Sequence, residues 1–307
     1  MEKQNAKTVL MIEPVAFGYN AETAVNNFFQ QQADIHPTQI QQFALDEFNE
    51  MVKQLQTKGI EVIVVKDTLE PHTPDSIFPN NWVSFHEEGC MVIYPVFAMN
   101  RRMERCINII QKINESGFQH SKSYDYSPFE NKNQFLEGTG SMVLDRVNKI
   151  TYAALSERTS NKMLLRFCGD FGYFPVVFNA FQTVGNRRLP IYHTNVMLCI
   201  ADKYAVICID SIDKIEEREK IINSILQSGK TIIDITEKQM SSFAGNMLQL
   251  QNKKGEKLLV MSASAFQSLE NNQINNLRSF NELVIIPVPI IEKYGGGSVR
   301  CMMAEVF

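Results

Sequence analysis

The sequence lacks the features of a membrane, fibrous or nucleic-acid-binding chain. Its longest apolar runs, at 204–209 and 283–291, are the length of strands and well short of the roughly 18 residues that a membrane helix needs. Thirty basic and 34 acidic residues give a net charge of -4 with no basic block, so neither nucleic acid nor membrane is expected as a partner. The first residues carry no long apolar stretch, which favours a cytoplasmic protein over a secreted one.

Paired metal-binding and disulfide-forming residues are also missing. The six cysteines are mostly inside apolar runs and include no C-x-x-C pair, and the histidines other than His193 show no metal-ligand spacing. No metal or other cofactor is therefore expected. Most of the cysteines are expected to be small core residues; they lie at positions 90, 106, 168, 199, 208 and 301.

No linker or low-complexity tract divides the 307 residues, but five similar segments recur along them. Each segment joins a polar or turn-forming pair to a β-prone apolar run. Their anchor residues, spaced by 59, 55, 51 and 55 positions, are Asn81, Gly140, Asn195, Asn246 and Cys301. This regular spacing predicts a repeat architecture.

Each anchor except the last is followed by a second strand-like run, a helix-length stretch and a further β-rich run. Two of the helical stretches show apolar residues at 3–4 spacing, at 107–113 and 215–225. The parts missing after Cys301 are present at the other end of the chain, as a strand at 8–13, a helix at 39–57 and a strand at 60–65. We therefore predict an α/β propeller, a single domain over 1–307 that is closed by pairing of the N- and C-terminal strands.

Three anchor segments carry reactive side chains, namely Glu137, His193 and Cys301. Taken singly, each has an ordinary structural interpretation as a turn cap, a hydrogen-bonded scaffold residue or a core thiol. In equivalent positions of a closed ring they face one centre. A thiol, an imidazole and a carboxylate are the set required for nucleophilic catalysis, in which the carboxylate holds an N–H-rich group.

At these residues the sequence resembles the guanidino-group-modifying, or pentein, superfamily, which includes arginine deiminases, dimethylarginine hydrolases, amidinotransferases and citrulline ureidases. The resemblance covers nearly the whole chain. It is carried by the motifs at 135–140, 156–160, 193–195 and 297–302. It implies a five-bladed ββαβ propeller with Cys301 as nucleophile, His193 as general acid/base and Glu137 as a ligand of the guanidino nitrogens. Arg158 matches the arginine that binds the substrate α-carboxylate, a role that suits a bidentate guanidinium.

Two positions depart from the arginine deiminase pattern. Asn81 and Asn195 stand where those enzymes carry aspartate. A carboxylate only accepts hydrogen bonds, whereas an amide both donates and accepts, so we expect a site that prefers a neutral ureido group, as in citrulline. In the alternative, the substrate carries a guanidinium, and Asp75 or Glu137 supplies the negative charge that binds it. Asp75, Asn81, Arg158 and Asn195 are the predicted substrate-binding residues.

The predicted function is therefore hydrolysis of a C–N bond of a ureido or guanidino amino acid. The sequence leaves open an amidinotransferase, which passes the same intermediate to an amine, and a non-catalytic propeller like that of a ribosome-binding anti-association factor. It is also compatible with a homo-oligomer. The stretch 101–106 is interpreted as the solvated start of a helix, and 295–298 as a flexible turn beside the nucleophile.

Overall fold

The computed structural model describes residues 3–32, 34–105, 111–112, 114–115 and 122–307. The strands in these ranges are β1 (Thr8–Glu13), β2 (Glu61–Lys66), β3 (Val83–His86), β4 (Cys90–Ile93), β5 (Lys122–Asp125), β6 (Val143–Asp145), β7 (Ile150–Ala154), β8 (Phe174–Phe178), β9 (Phe181–Val184), β10 (Arg187–Pro190), β11 (Leu198–Ile200), β12 (Tyr204–Ile207), β13 (Thr231–Asp234), β14 (Leu248–Gln251), β15 (Lys257–Ser262), β16 (Glu282–Ile286) and β17 (Ala304–Val306). The α-helices are α1 (Ala21–Ala24), α2 (Pro37–Thr57), α3 (Gly138–Ser141), α4 (Asn161–Phe171), α5 (Ile215–Gln227), α6 (Glu237–Ser241), α7 (Ala263–Ser268), α8 (Asn271–Phe280) and α9 (Pro289–Gly295).

The strands of the described ranges form five three-stranded sheets with one shared topology. In each sheet the first strand pairs antiparallel with the middle strand, which pairs parallel with the third. The sheets have the strand orders β3-β4-β5, β6-β7-β8, β11-β12-β13, β14-β15-β16 and β17-β1-β2. Among the first strands of the sheets, β17 contacts β3, β6 contacts β11 and β11 contacts β14. The chain therefore has the α/β fold that its repeats predict.

The two ends of the chain meet in the last of these sheets. Strand β1 pairs antiparallel with β17, with Thr8 opposite Val306, and parallel with β2, with Thr8 opposite Glu61. Helix α2 packs on this sheet through a buried stripe at Ile40, Ala44, Phe48, Met51 and Leu55. The expected pairing of the terminal strands, with α2 and β2 completing the fifth unit, is thus present.

The structure differs from the sequence interpretation in the local form of the anchors. Asn81 and Asn195 lie in 3-10 turns at 79–81 and 194–196, Gly140 lies in α3, and Asn246 and Cys301 precede β14 and β17. The anchors therefore lie just before the first strand of each sheet, because turns carry polar side chains that a buried strand does not. The hairpin β9–β10 is an addition that the repeat pattern did not predict. Of the two predicted helices, α5 is present, whereas 107–110 and 113 are outside the described residues.

Apolar side chains fill the spaces between the sheets and the helices that cover them. Ile221 and Ile225 of α5 and Phe167 of α4 are fully buried in this way, as amphipathic helices on a sheet require. In the described part of the chain, no helix has the length and apolarity to cross a membrane. Burial of a sheet face against a helix holds each repeat in place and so determines where its anchor turn lies.

A buried ion pair joins two neighbouring sheets and gives a test of this packing. Lys230 Nζ lies 2.5 Å from Asp145 Oδ2, and both side chains are buried. We expect Lys230→Met to cost about 3–5 kcal/mol of unfolding free energy because it leaves the Asp145 carboxylate buried without its cation. Urea unfolding measures the loss. Lys58→Met, which removes a partner of the half-exposed Glu282, is the matched control and should cost less than about 1 kcal/mol; equal losses would contradict the prediction.

Candidate active site

A small cavity lies where the anchor turns before β3, β11 and β17 meet. Asn81, His193 and Cys301, one from each turn, line it together with Asp75 and Arg158. Residues up to 226 positions apart in the chain are therefore brought to one place by the repeat architecture. Of the predicted site residues, Glu137 and Asn195 do not line the cavity but contact residues that do.

Cys301 is held between two side-chain amides. Its Sγ lies 3.3 Å from Nδ2 of Asn246 and 3.6 Å from Nδ2 of Asn195. Asn246 is itself oriented, because its Oδ1 accepts the backbone N–H of Arg300 and its Nδ2 also donates to the Asn195 carbonyl. Cys301 is only 3% exposed, because the turn before β17 is covered by neighbouring segments. Two N–H donors here stabilise negative charge on the sulfur.

His193 and Glu137 form a buried pair on the other side of the cavity. His193 Nε2 lies 2.7 Å from Glu137 Oε2, and the second carboxylate oxygen accepts the backbone N–H of Phe97. A Cβ atom at Gly140 would come within 2.5 Å of Asn81 Nδ2 and 2.9 Å of the His193 ring. Only glycine at 140 therefore lets Asn81 and His193 approach this closely, which gives the 135–140 motif a physical basis.

The charges of this pair follow from its surroundings. Burial acts to raise the pKa of Glu137, but Arg158 and His193 outweigh it and the net shift is downward, so the carboxyl is ionised. Burial lowers the pKa of His193 to about 4, and the bond to Glu137 offsets this only in part. The imidazole is therefore neutral at pH 7. Because the carboxylate can only accept, Nε2 carries the proton and the Nδ1 lone pair is available as a base.

Arg158 is buried beside Glu137 and is tied to the segment at 20–31. Its Nη1 lies 3.5 Å from Glu137 Oε2, its Nε donates to Asn26 Oδ1 at 2.8 Å, and its Nη2 donates to the Thr23 carbonyl at 2.8 Å. The guanidinium also lies over the ring of Tyr192. The cation thus lines the cavity while neutralising the carboxylate behind His193.

Asp75 carries an unused acceptor next to the cavity. Its Oδ2 accepts from Asn20 and Thr23, whereas its Oδ1 is buried without a hydrogen-bond partner among the described residues. Burial raises the pKa of this carboxyl, against the opposing effect of Arg101. A buried acceptor without a donor is costly, so a ligand N–H at this position is favoured.

Asn81 is paired with a cation that the sequence interpretation placed in solvent. Arg101 Nη1 donates to Asn81 Oδ1 at 2.6 Å, and Arg101 binds Glu104 bidentately at 2.7 and 2.9 Å. The segment 101–105 belongs to a 3-10 helix at 100–105, and both Arg101 and Glu104 are buried. The expected solvated helix start is thus wrong for these residues, because mutual pairing lets two charged side chains be buried together. Cys106 is outside the described residues.

The segment at 20–31 covers the cavity and closes it against the turn before Cys301. Asn27 Nδ2 donates to the carbonyls of Gly295 and Gly296, and Gln30 Nε2 donates to the Tyr294 carbonyl. Tyr192 Oη donates to the Gly296 carbonyl at 2.6 Å on the other side. The 295–298 turn is therefore buried and hydrogen-bonded, in contrast to the flexible turn expected from its glycines.

Sequence reasoning missed several residues of the site. Asn246 was recognised only as a repeat anchor, although its register with Cys301 was the signal that could have placed it beside the sulfur. Arg101 gave no signal, since its partner Glu104 is three residues away and the pair resembles a surface helix. Thr23 and Asn27 lie in a polar segment outside the repeats. Across the described ranges, no cluster of three or more His, Cys, Asp or Glu side chains is arranged to hold a metal ion.

Solved structures that share this fold include an arginine dihydrolase, its N-terminal domain and a dimethylarginine dimethylaminohydrolase. The arginine dihydrolase ArgZ of cyanobacteria has a TM-score of 0.73 at 15% identity, over 97% of this chain and 40% of the ArgZ chain. The N-terminal domain of ArgZ, with a covalently bound reaction intermediate, gives 0.70 at 16% identity over 98% and 97% of the two chains. A dimethylarginine dimethylaminohydrolase adduct with S-methyl-L-thiocitrulline gives 0.64 at 15% identity over 98% and 99%. This chain therefore spans less than half of full-length ArgZ and nearly all of its N-terminal domain.

The class is that of the pentein enzymes, which modify guanidino groups. It is defined by the repeats, by the buried Cys301 and the His193–Glu137 pair, and by these likenesses. The particular family follows from the sequence: residues 13–307 match the family model described as N,N dimethylarginine dimethylhydrolase, eukaryotic, and the chain belongs to that family. That description names hydrolases that act on dimethylarginine. No curated protein sequence matches the chain.

The lowered pKa of His193 predicts a pH dependence of stability. Because the pKa of His193 is about 4 in the folded protein and 6.5 is the ordinary value for histidine, the unfolded chain binds the proton more tightly between these values. The free energy of unfolding should therefore rise with pH through this window by about 3 kcal/mol and level off above it. Urea unfolding of the wild type and of His193→Asn from pH 4.5 to pH 8 measures the difference.

The comparison with the variant removes the contributions of other groups. Glu47, whose pKa burial raises to about 7, makes stability fall as pH rises, but it does so in both proteins. The gap between wild type and His193→Asn should widen in favour of the wild type as pH rises toward 6.5. A gap that stays constant with pH would show that His193 does not titrate as described.

Proposed function

We propose that the protein hydrolyses a C–N bond of a ureido or guanidino amino acid through a covalent intermediate on Cys301. The observation that carries the proposal is the position of the thiol, between the amides of Asn195 and Asn246 and in one cavity with the His193–Glu137 pair. A nucleophile, a base and an orienting carboxylate are then all present. Membership of a hydrolase family supports water rather than an amine as the final acceptor.

In the first half of the reaction the Cys301 sulfur adds to the central carbon of the substrate. The thiol proton passes to His193, which is neutral beforehand because its pKa is about 4, and from there to the departing amine. The C–N bond breaks and a C–S bond remains. Ionised Glu137 stabilises the imidazolium that exists during the transfer, and the two asparagine amides stabilise the charge that develops around the sulfur.

In the second half a water molecule takes the place of the amine. His193 Nδ1 removes a proton from the water as its oxygen adds to the S-linked carbon. The C–S bond then breaks, and the proton returns to the sulfur. With a ureido substrate the product of this step is a carbamate, which releases ammonia and carbon dioxide. One side chain thus acts first as acid and then as base.

The charges around the cavity favour a neutral ureido group. Asn81 and Asn195 add no negative charge, and the Arg101 guanidinium lies against Asn81. The Glu137 carboxylate is already paired with Arg158 and His193. A guanidinium placed near Asn81 would therefore find no free anion at that residue, because the Glu104 carboxylate is already paired with Arg101, whereas a ureido oxygen can accept hydrogen bonds.

A guanidino substrate is the second candidate, and the buried Oδ1 of Asp75 is the observation that favours it. This oxygen accepts equally from a guanidinium or from the ammonium group of an amino acid. In the ureido case we assign it to the substrate ammonium, with Arg158 binding the α-carboxylate once Asn26 releases it. We further propose that the five sheets form one closed propeller domain over 1–307. The support is that first strands of neighbouring sheets contact in three places, β17 with β3, β6 with β11 and β11 with β14, and that the terminal strands β1 and β17 pair.

Substrate turnover tests the reaction class. We expect ammonia or amine release from at least one of citrulline, arginine, agmatine and dimethylarginine, with citrulline the fastest. Cys301→Ala should lower kcat by about a thousandfold or more because the nucleophile is lost. Cys168→Ala, which removes a buried thiol of α4 far from the cavity, should keep activity. The proposal would be contradicted if folded protein released neither ammonia nor amine, in a Cys301-dependent way, from any of the four compounds.

Adding negative charge tests the substrate preference. Asn195→Asp should shift the ratio of kcat/KM for arginine over citrulline upward by about tenfold, because a carboxylate attracts the guanidinium and repels the ureido oxygen. Asn81→Asp should shift it less, since Arg101 neutralises the new charge. Asn275→Asp, at an exposed position of α8, is the control. If the ratio of kcat/KM for arginine over citrulline is unchanged in both site variants, the charge explanation is wrong.

A further inference from the structure

Glu292 is a buried carboxyl near the site that the proposed reaction does not use. It lies in α9, is 6% exposed, and its Oε1 accepts from the Ser298 hydroxyl at 2.6 Å while its Oε2 accepts from the Ser264 hydroxyl. No lysine, arginine or histidine of the described chain is paired with it. Burial raises its pKa, and the serine hydroxyls oppose that effect. A buried acid satisfied only by hydroxyls is costly, which calls for a reason beyond stability.

The hydroxyl that Glu292 binds belongs to the turn that presents the nucleophile. Ser298 is fully buried, and its carbonyl accepts the backbone N–H of Cys301 at 2.9 Å. Ser298 is thus fixed at its side chain by Glu292 and fixes Cys301 through its backbone. The preceding residues Gly296 and Gly297 have no side chains with which to anchor this turn themselves.

The other contact of Glu292 leads to a rigid part of the fold. Ser264 lies in α7, directly after β15, whose last residue Ser262 caps that helix through its hydroxyl. Strand β15 is the buried middle strand of its sheet. Only the Ser298 contact reaches the turn that holds Cys301. Glu292 itself is carried by the backbone of α9, so its carboxyl stays beside Ser298 when the Ser264 bond is absent.

We propose that Glu292 is a positioning residue, which acts through Ser298 to hold the Cys301 sulfur at the reacting carbon. It does not touch the substrate. This inference rests on the proposed role of Cys301 as nucleophile. Loss of the Glu292–Ser298 bond should lower kcat, because a small displacement of a nucleophile slows the reaction strongly. Substrate binding should be retained, because it depends on residues elsewhere in the cavity.

The variants separate this role from simple stabilisation. Ser298→Ala and Glu292→Leu should each lower kcat by about tenfold with KM changed less than about twofold, whereas Glu292→Gln, which can still accept from Ser298, should stay within about threefold of wild type. Ser264→Ala removes a hydroxyl from the same carboxyl on the side away from Cys301. It is the matched control and should keep kcat within about twofold.

A double variant tests whether the two residues act as a unit. If Glu292 acts through Ser298, then Glu292→Leu combined with Ser298→Ala should be no more than about twofold worse in kcat than either alone. Multiplicative losses would overturn the proposal, as would equal effects of Ser298→Ala and Ser264→Ala. Thermal unfolding of every variant confirms that the compared proteins are folded, and rates are expressed per folded molecule.

A readout without substrate separates failure of this inference from failure of the proposed function. The rate of Cys301 alkylation by iodoacetamide, followed by mass spectrometry of its peptide, should change by about threefold or more in Ser298→Ala and little in Ser264→Ala. Altered alkylation supports the positioning role even if none of the four substrates is turned over. Identical alkylation of all variants would contradict it even in an active hydrolase.

Discussion

The Glu137 carboxylate is the interaction on which the rest of the site depends. It is fully buried, and its two oxygens bind the His193 ring, the Arg158 guanidinium and the backbone of Phe97. These partners come from separate repeats, so a single anion fixes the relative position of three parts of the chain. It also determines which nitrogen of His193 carries the proton. Burial without these partners would return Glu137 to its neutral form and leave the imidazole without an orientation.

The arrangement around Glu137 is insulated from water on every described side. Cys301, His193 and Arg158 are each no more than 3% exposed, and the segment at 20–31 is hydrogen-bonded across the cavity to the turn at 295–297. In such surroundings each charge interaction is stronger than it would be in solvent. The Asn27 and Gln30 bonds of one short segment therefore hold this enclosure closed beside Cys301.

The repeats allowed much of this to be predicted from sequence. A period near 55 residues placed the segments that carry Glu137, His193 and Cys301 at equivalent places in their repeats, and the structure brings these three residues together with Asp75, Asn81, Arg158 and Asn195. The pairing of β1 with β17 was likewise predictable, because the last repeat lacked the elements that the first residues supply. The repeat period predicts where the backbone of each segment lies. It therefore predicts those features of the site that depend only on the register of the repeats.

Periodicity cannot report on contacts made by side chains outside the repeats. Arg101 was interpreted as solvated because Arg and Glu at a spacing of three are typical of exposed helices, yet here the two are buried as a pair. The residues at 20–31 follow no repeat, and their polar composition resembles an ordinary loop. The anchors also proved to be turns rather than strands, since a polar side chain that faces a cavity leaves little room for continuous β pairing.

The contact between Arg101 and Asn81 has a consequence for how substrate choice could change in evolution. A mutation of Asn81 to an acid would create an ion pair with Arg101 rather than a receptor for a cation. Loss of Arg101 alone would leave Glu104 as an unpaired buried acid. Since neither single substitution gives a free anion beside the cavity, a change of charge preference at this position would need both substitutions. The two residues are expected to change together or not at all.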